Sequence, residues 1–142
     1  MAALTAARNT VEKDNPAAFN HEPAAGVATA TTIFQGSIVA FNSSGYLVPG
    51  STATTLRAAG VAQEGVVNAG ANGALKCKLR SCVAKFANSS AGDLITIADV
   101  GADCYIVDDQ TVAKTSGGST RSVAGKVFEI AADGVFVKIG LF

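Results

Sequence analysis

From Thr32 onward, short apolar stretches rich in β-branched residues alternate with clusters of Asn, Asp, Ser and Gly. This is the texture of strand and turn, with no sustained helical period. Ile33 to Phe41 predicts a strand that ends at the turn cluster Asn42-Ser43-Ser44-Gly45. Tyr46-Leu47-Val48 resumes until Pro49-Gly50, and Ala58 to Val67 is cut by Gln63-Glu64-Gly65. Asn72-Gly73, the strongest short hairpin signal, precedes a stretch in which Leu75, Cys77 and Leu79 fall on one face and Lys76, Lys78 and Arg80 on the other. Such alternation predicts a half-buried strand. Val83 to Phe86, a turn at Asn88-Ser89-Ser90-Ala91-Gly92, and Leu94 to Ile97 extend the series. Cys104 to Val107 and Thr111 to Ala113 flank a tight connection at Asp108-Asp109-Gln110, and residues 115–120 form a loop. Val123 to Ile130 and Val135 to Ile139 bracket Asp133-Gly134, a second hairpin signal. The expected fold is all-β: a small β-barrel or jelly-roll-like sandwich.

Residues 1–31 differ from everything after them. They hold Pro16, Pro23 and the single histidine, and almost no β-branched pattern. Met1 to Thr10 favours a short helix through its Ala and Leu content, although a segment of that length is marginal alone. Asn15 to Thr31 has no period and reads as extended chain. Two readings stand side by side: a disordered tail, or an arm that orders when laid on another surface. The expected organisation is an extended N-terminal arm over 1–31 and a β-domain over 32–142, with the β-domain folding even when 2–30 are deleted.

Composition narrows this further. A chain of 142 residues supports one core. The hydrophobic fraction of 49% is inflated by alanine, tryptophan is absent, and aromatics make up 6%. Full burial of a Leu, Ile or Phe contributes about 1.5–3 kcal/mol, and an alanine far less. The core must rest on a limited set of Val, Ile, Leu and Phe positions. Eleven basic and eleven acidic residues give zero net charge. That argues against a nucleic-acid binder, which needs excess Lys and Arg, and against a polybasic membrane-surface protein. Near-neutrality removes self-repulsion and eases association. No apolar run approaches the roughly 18–20 residues that span a bilayer, and the first residues lack the basic stretch of a secretory signal. Three cysteines, an odd number, do not read as a disulfide framework, so synthesis in a reducing cytoplasm is expected.

Catalytic chemistry finds little to stand on. His21, the natural candidate for a general base, lies in the arm, away from any rigid scaffold. Cys77, Cys82 and Cys104 with one distant histidine lack convergent zinc spacing, and Cys77 sits in the apolar register of its strand, where a thiol packs as a small hydrophobe. Asp108 and Asp109 are sequence neighbours and suit a turn better than an acid–base pair. Asp99 and Asp103 with this pair lack the spacing of a calcium loop. No phosphate loop, nucleophile elbow or HExxH motif occurs. The expectation is a protein that is not an enzyme and carries no cofactor and no metal. One charge feature remains: Lys76, Lys78, Arg80 and Lys85 make mid-chain basic, and residues 99–109 are acidic. These are solvated faces, or patches that meet across subunits and set orientation.

The stretches IFQGSIVAFNSSGYLVPG, RAAGVAQEGV, CYIVDDQTVAKT and VAGKVFEIAADGVFVKI, in order over residues 32–140, resemble the capsid decoration (cement) proteins of tailed bacteriophages. The resemblance implies a structural virion protein that binds the outside of an assembled head and cements neighbouring major capsid subunits. It implies a homo-oligomer, two- or three-fold, located on the capsid exterior. Arg8, Lys13, Phe19, His21, Lys76, Lys78 and Arg80 are then the candidate capsid contacts. An arm of 1–31 reaches on the order of 100 Å if fully extended, enough to cross onto a neighbour. The alternative reading is a head fibre base or a glycan-binding β-sandwich.

Overall fold

The computed structural model describes residues 2–14 and 23–141. Its organising strand is β4 (Ile38–Phe41), whose Ile38, Val39 and Ala40 are all buried. A strand covered on both faces reads as a continuous apolar run. Ile38 and Ala40 face one core and Val39 the other. β4 lies in a five-stranded sheet of order β2 (Ala24–Gly26), β8 (Lys76–Arg80), β6 (Arg57–Ala62), β4, β5 (Leu47–Pro49). A six-stranded sheet runs β1 (Glu12–Asp14), β9 (Cys82–Phe86), β13 (Gly134–Ile139), β12 (Val123–Ala131), β10 (Asp103–Ile106), β11 (Val112–Ala113). A third ladder pairs β3 (Thr31–Ile33) with β7 (Val66–Asn68). All ladders are antiparallel, and the sheets do not close into a barrel. The all-β expectation therefore resolves toward a sandwich.

The larger core lies between the two main sheets. Ile38, Ala40 and Val61 meet Cys82, Ala84, Phe86, Val112, Val127, Val135, Val137 and Ile139 there. The smaller core covers the other face of the five-stranded sheet, with Val39, Leu47, Cys77 and Leu79 packed against Val27 and Ile33. Val27 and Ala28, both buried, thus extend the β-domain to the N-terminal side of Thr32. Deletion through residue 30 would open this core, contrary to the sequence-based expectation, because Val27 fills it and β2 caps β8.

A single extended run joins the sheets. β8 belongs to one and β9 to the other, and the chain turns between them at buried Ser81. The Leu141 amide donates to Ser81 Oγ at 2.8 Å. Gly140, at φ +130°, packs so tightly there that a Cβ would overlap the Ser81 side chain. On the other side Gly60, at φ +149°, lies against the Arg80 carbonyl. Sheet-switching corners of this kind need residues without side chains at the crossing.

Several local expectations change. Residues 2–10 form no helix; their backbone and side-chain groups are taken up by the β-domain instead. Leu94 to Ile97 is not a strand. It lies between two 3-10 turns, Ala91–Asp93 and Ile97–Asp99, and buries only Ile95. Asn72-Gly73 is a turn but closes no hairpin, since β7 pairs with β3 and β8 with β6 and β2. Asn72 Oδ1 instead accepts the Thr29 amide at 2.8 Å, and the Gly73 amide donates to the Val27 carbonyl at 2.9 Å. Leu75 is exposed just ahead of β8, while Cys77 and Leu79 are buried as the alternation requires. The second hairpin forms as expected between β12 and β13. Its glycine works in the strand: a Cβ at Gly134 would lie 2.6 Å from the Phe86 carbonyl oxygen.

Close backbone approach makes a direct test. A Cβ at Gly125 would overlap the Lys138 carbonyl, whereas one at Gly92 meets nothing. Gly125→Ala should cost about 1–3 kcal/mol, the usual cost of overpacking, and Gly92→Ala close to nothing. Urea unfolding followed by far-UV circular dichroism reads both; equal midpoints would contradict the packing described.

Candidate interaction surfaces

The N-terminal segment is held by directional polar contacts. The Leu4 amide donates to Asp109 Oδ1 at 2.9 Å, and the Arg8 amide to the Gln35 carbonyl at 3.1 Å. Arg8 Nη2 reaches the Lys85 carbonyl at 3.2 Å, and Gln110 Nε2 donates to the Ala2 carbonyl. Thr10 Oγ1 donates to the Gly36 carbonyl, and Gly36, at φ +85°, has no room for a Cβ beneath Arg8. Val11 accepts the Lys85 amide at 2.6 Å, and β1 continues the contact by pairing Glu12 with Ala84. Residues 2–12 are exposed or half-buried; none is buried. Asp109 is buried beneath them. Burial pushes its carboxyl above the ordinary range, opposed by the Leu4 amide, and burial also lowers Arg8.

The candidate contact residues fall into separate places. Arg8 is half-buried and engaged as described. Arg80 forms a two-pronged pair with Glu12, Nη1 lying 2.9 and 3.0 Å from the two carboxylate oxygens. Lys13 lies within β1. Phe19 and His21 lie outside the described residues. Lys76 and Lys78 are exposed on β8, paired across the ladder with Gly26 and Ala24. The structure thus brings Arg8 and Arg80 to the N-terminal segment and leaves Lys76 and Lys78 on a solvent face. Two of the four aspartates in the acidic stretch are paired locally: Asp99 with Lys114 at 3.4 Å, and Asp103 with Lys126 at 2.6 Å.

A third surface escaped the sequence reading. Leu94, Ile97, Val100 and Phe128 are exposed, Ile97 at 83%. Gly101 donates to the Val127 carbonyl at 2.8 Å and the Val127 amide to the Ala102 carbonyl at 2.9 Å, which sets this loop beside β12 and Phe128. The loop is rigidly built. Thr96 and Asp99 form a reciprocal capping box, and Asn88 clamps Ile95 from both sides at 2.9 and 3.0 Å. Asp93 accepts from Thr115 and from Arg121 at 3.2 Å. The signal was present in Leu94, Ile95, Ile97 and Val100, four large apolar residues within seven, but an apolar run alone does not separate a strand from a displayed loop.

The three thiols are buried in the cores. Burial pushes Cys77 up to about 11, and Cys82 and Cys104 up to about 12. At neutral pH they are protonated and pack as small hydrophobes. Among the described residues no group of three or more His, Cys, Asp or Glu is placed to hold a metal ion, and no helix is long and apolar enough to cross a membrane. No family model, curated protein or solved structure matches this chain. The fold and surfaces define an all-β sandwich displaying an apolar loop and a latched N-terminal segment.

Two tests follow from this geometry. Asp109→Ala removes the acceptor of the Leu4 amide and should raise hydrogen exchange at Leu4 while amides of β9 keep their protection. Equal protection in the variant would show that the latch lies elsewhere. Hydrogen bonds from Thr115 and then Arg121 lower the Asp93 carboxyl, and the Thr96 amide lowers Asp99. A carboxyl depressed on folding stabilises above its unfolded value and loses that contribution as pH falls through its folded one. Protection of the 94–100 loop, corrected for intrinsic exchange, should decline as pH drops below 3.8. No decline there would contradict the assignment.

Proposed function

We propose that this chain is a structural virion protein that binds the outside of an assembled phage head and cements neighbouring major capsid subunits. The observation that carries the reading is the braced apolar loop: Ile97, 83% exposed, stands on a capped turn, Leu94 and Val100 are exposed on the same loop, and Phe128 is exposed on the neighbouring strand. Apolar side chains displayed together on a stiff loop favour burial against another protein. The sequence resemblance favours a capsid subunit as that protein, and a two-sheet sandwich suits the stiffness a clamp requires. Clamping needs shape and many weak contacts. A standard interface buries about 800 Å² per partner, and an oligomer that engages several sites gains further through effective concentration.

In this reading the chain assembles as a two- or three-fold homo-oligomer on the capsid exterior. The N-terminal segment adds a second mode of contact. Its latch is polar, so the same hydrogen-bonding groups are able to serve a capsid subunit that offers equivalent partners. The glycan-binding alternative has less support, because the residues lining the groove at Leu56, Arg57 and Val123 include no aromatic ring.

Heads stripped of this protein and then re-decorated should release DNA at a higher temperature than bare heads; identical release would remove the cement reading. Ile97→Asp should weaken head binding about tenfold or more, as a central apolar contact does. Its unfolding free energy should stay within about 0.5 kcal/mol, since the side chain is exposed. Titration of decorated heads by sedimentation measures the first and urea unfolding the second.

A further inference from the structure

Between the two main sheets lies an open groove of about 490 Å³. One wall is Leu56 and the start of β6 at Arg57 and Ala58; the other is β12 at Val123, Ala124 and Gly125, with Lys126, Lys138, Gly140 and Asp103 at the margins. Both walls are strand edges whose ladders stop short. β6 pairs with β4 along its length, but with β8 only at Val61 and Ala62. Arg57 and Ala58 therefore have a ladder neighbour on one side alone among the described residues. On β12 the ladder with β13 begins at Lys126; just before it Gly125 packs against the Lys138 carbonyl, and among the described residues Val123 and Gly125 have ladder partners only on β10. The walls are drawn together at one end, where the Leu56 amide donates to Ser122 Oγ at 3.1 Å.

The side chains sort into two kinds. Leu56, Ala58 and Ala124 pack with the larger core and give an apolar floor. The margin carries Arg57 and the Lys126–Asp103 ion pair. Arg57 is held in place before any ligand arrives. Its guanidinium lies 5.7 Å from the Phe41 ring centroid, and Nη2 donates to the Asn42 carbonyl at 3.3 Å. A cation fixed this way loses little freedom on binding.

We propose that this groove binds an extended segment of a partner protein in which apolar and acidic side chains alternate. Such a segment places one face on the Leu56–Ala58–Ala124 floor and the other toward Arg57, with its backbone hydrogen-bonding to the free edge of β6 at Arg57 and Ala58. Strand addition takes its affinity from main-chain bonds and its selectivity from alternate side chains. Charge complementarity selects an acidic strand over a basic one. The inference goes beyond head binding and does not depend on it, because the groove and the apolar loop are formed by different residues.

The test is a titration of the ¹⁵N-labelled full chain with a blocked hexapeptide of alternating valine and glutamate, its valine–lysine analogue, and a version with proline at the central positions. The valine–glutamate peptide should give saturable shifts confined to residues 56–59 and 122–126, with a Kd on the order of 100 μM. The lysine analogue and the proline version should not saturate. Arg57→Glu should weaken binding about tenfold, and Lys126→Gln probes the opposite margin in the same way. Absence of saturable shifts, equal binding of the lysine analogue, or unchanged affinity in both variants would overturn the proposal. Loss of head cementing with groove binding intact would strike the preceding reading alone.

Discussion

The bend at Ser81 is the joint on which the two main sheets depend. β8 and β9 form one extended stretch, and only its turn lets Cys77 and Leu79 fill one core while Cys82, Ala84 and Phe86 fill the other. Three backbone features converge on that turn: the Leu141 amide on Ser81 Oγ, Gly140 against the same side chain, and Gly60 beneath the Arg80 carbonyl. A core composed mainly of Val, Ile and Ala has few large side chains to absorb a misplaced sheet. Geometry set by close backbone contact substitutes for bulk. Interiors are packed like crystals, so a small error at such a joint propagates to every layer.

The N-terminal chain illustrates how two kinds of attachment divide one segment. Val27 and Ala28 are buried, and removing them removes core. Residues 2–12 contribute hydrogen bonds and a single well-formed ion pair at half-exposed positions. An intramolecular hydrogen bond has a net worth of about 0.5–1.5 kcal/mol, because water competes for the same groups. Apolar burial has no such competitor. A segment fixed by polar contacts alone is therefore the part of a fold whose partners are most easily exchanged for equivalent ones.

The all-β class, the β10–β11 turn and the β12–β13 hairpin were legible because each rests on local pattern: alternation, β-branching and turn residues close together in sequence. Cys77 and Leu79 were legible for the same reason. The Asn72-Gly73 turn shows where local reading ends. Its chemistry is correct, but its partners are Val27 and Thr29, over 40 residues away. Asp109 read as a turn residue, and nothing local discloses that it accepts from Leu4, 105 residues earlier. The 2–10 helix failed by the same cause in reverse, since tertiary hydrogen bonds outweigh a weak propensity. The groove was illegible altogether, as it arises from two ladders ending opposite one another.

Rigidity and display are connected in this molecule. Ile97 is the most exposed large apolar residue described, and it sits on one of the best-braced loops, with Ile95 clamped by Asn88 and Asp99 closing a capping box. An exposed isoleucine on a mobile loop would lose its binding gain to ordering entropy. On a braced loop that cost is met during folding, and the apolar surface is presented in one geometry. The same logic applies to Arg57, held by Phe41 and the Asn42 carbonyl before anything binds. In this thin-cored sandwich, capping and side-chain hydrogen bonds on surface loops fix groups that the core does not hold, so those groups keep one geometry without core contacts.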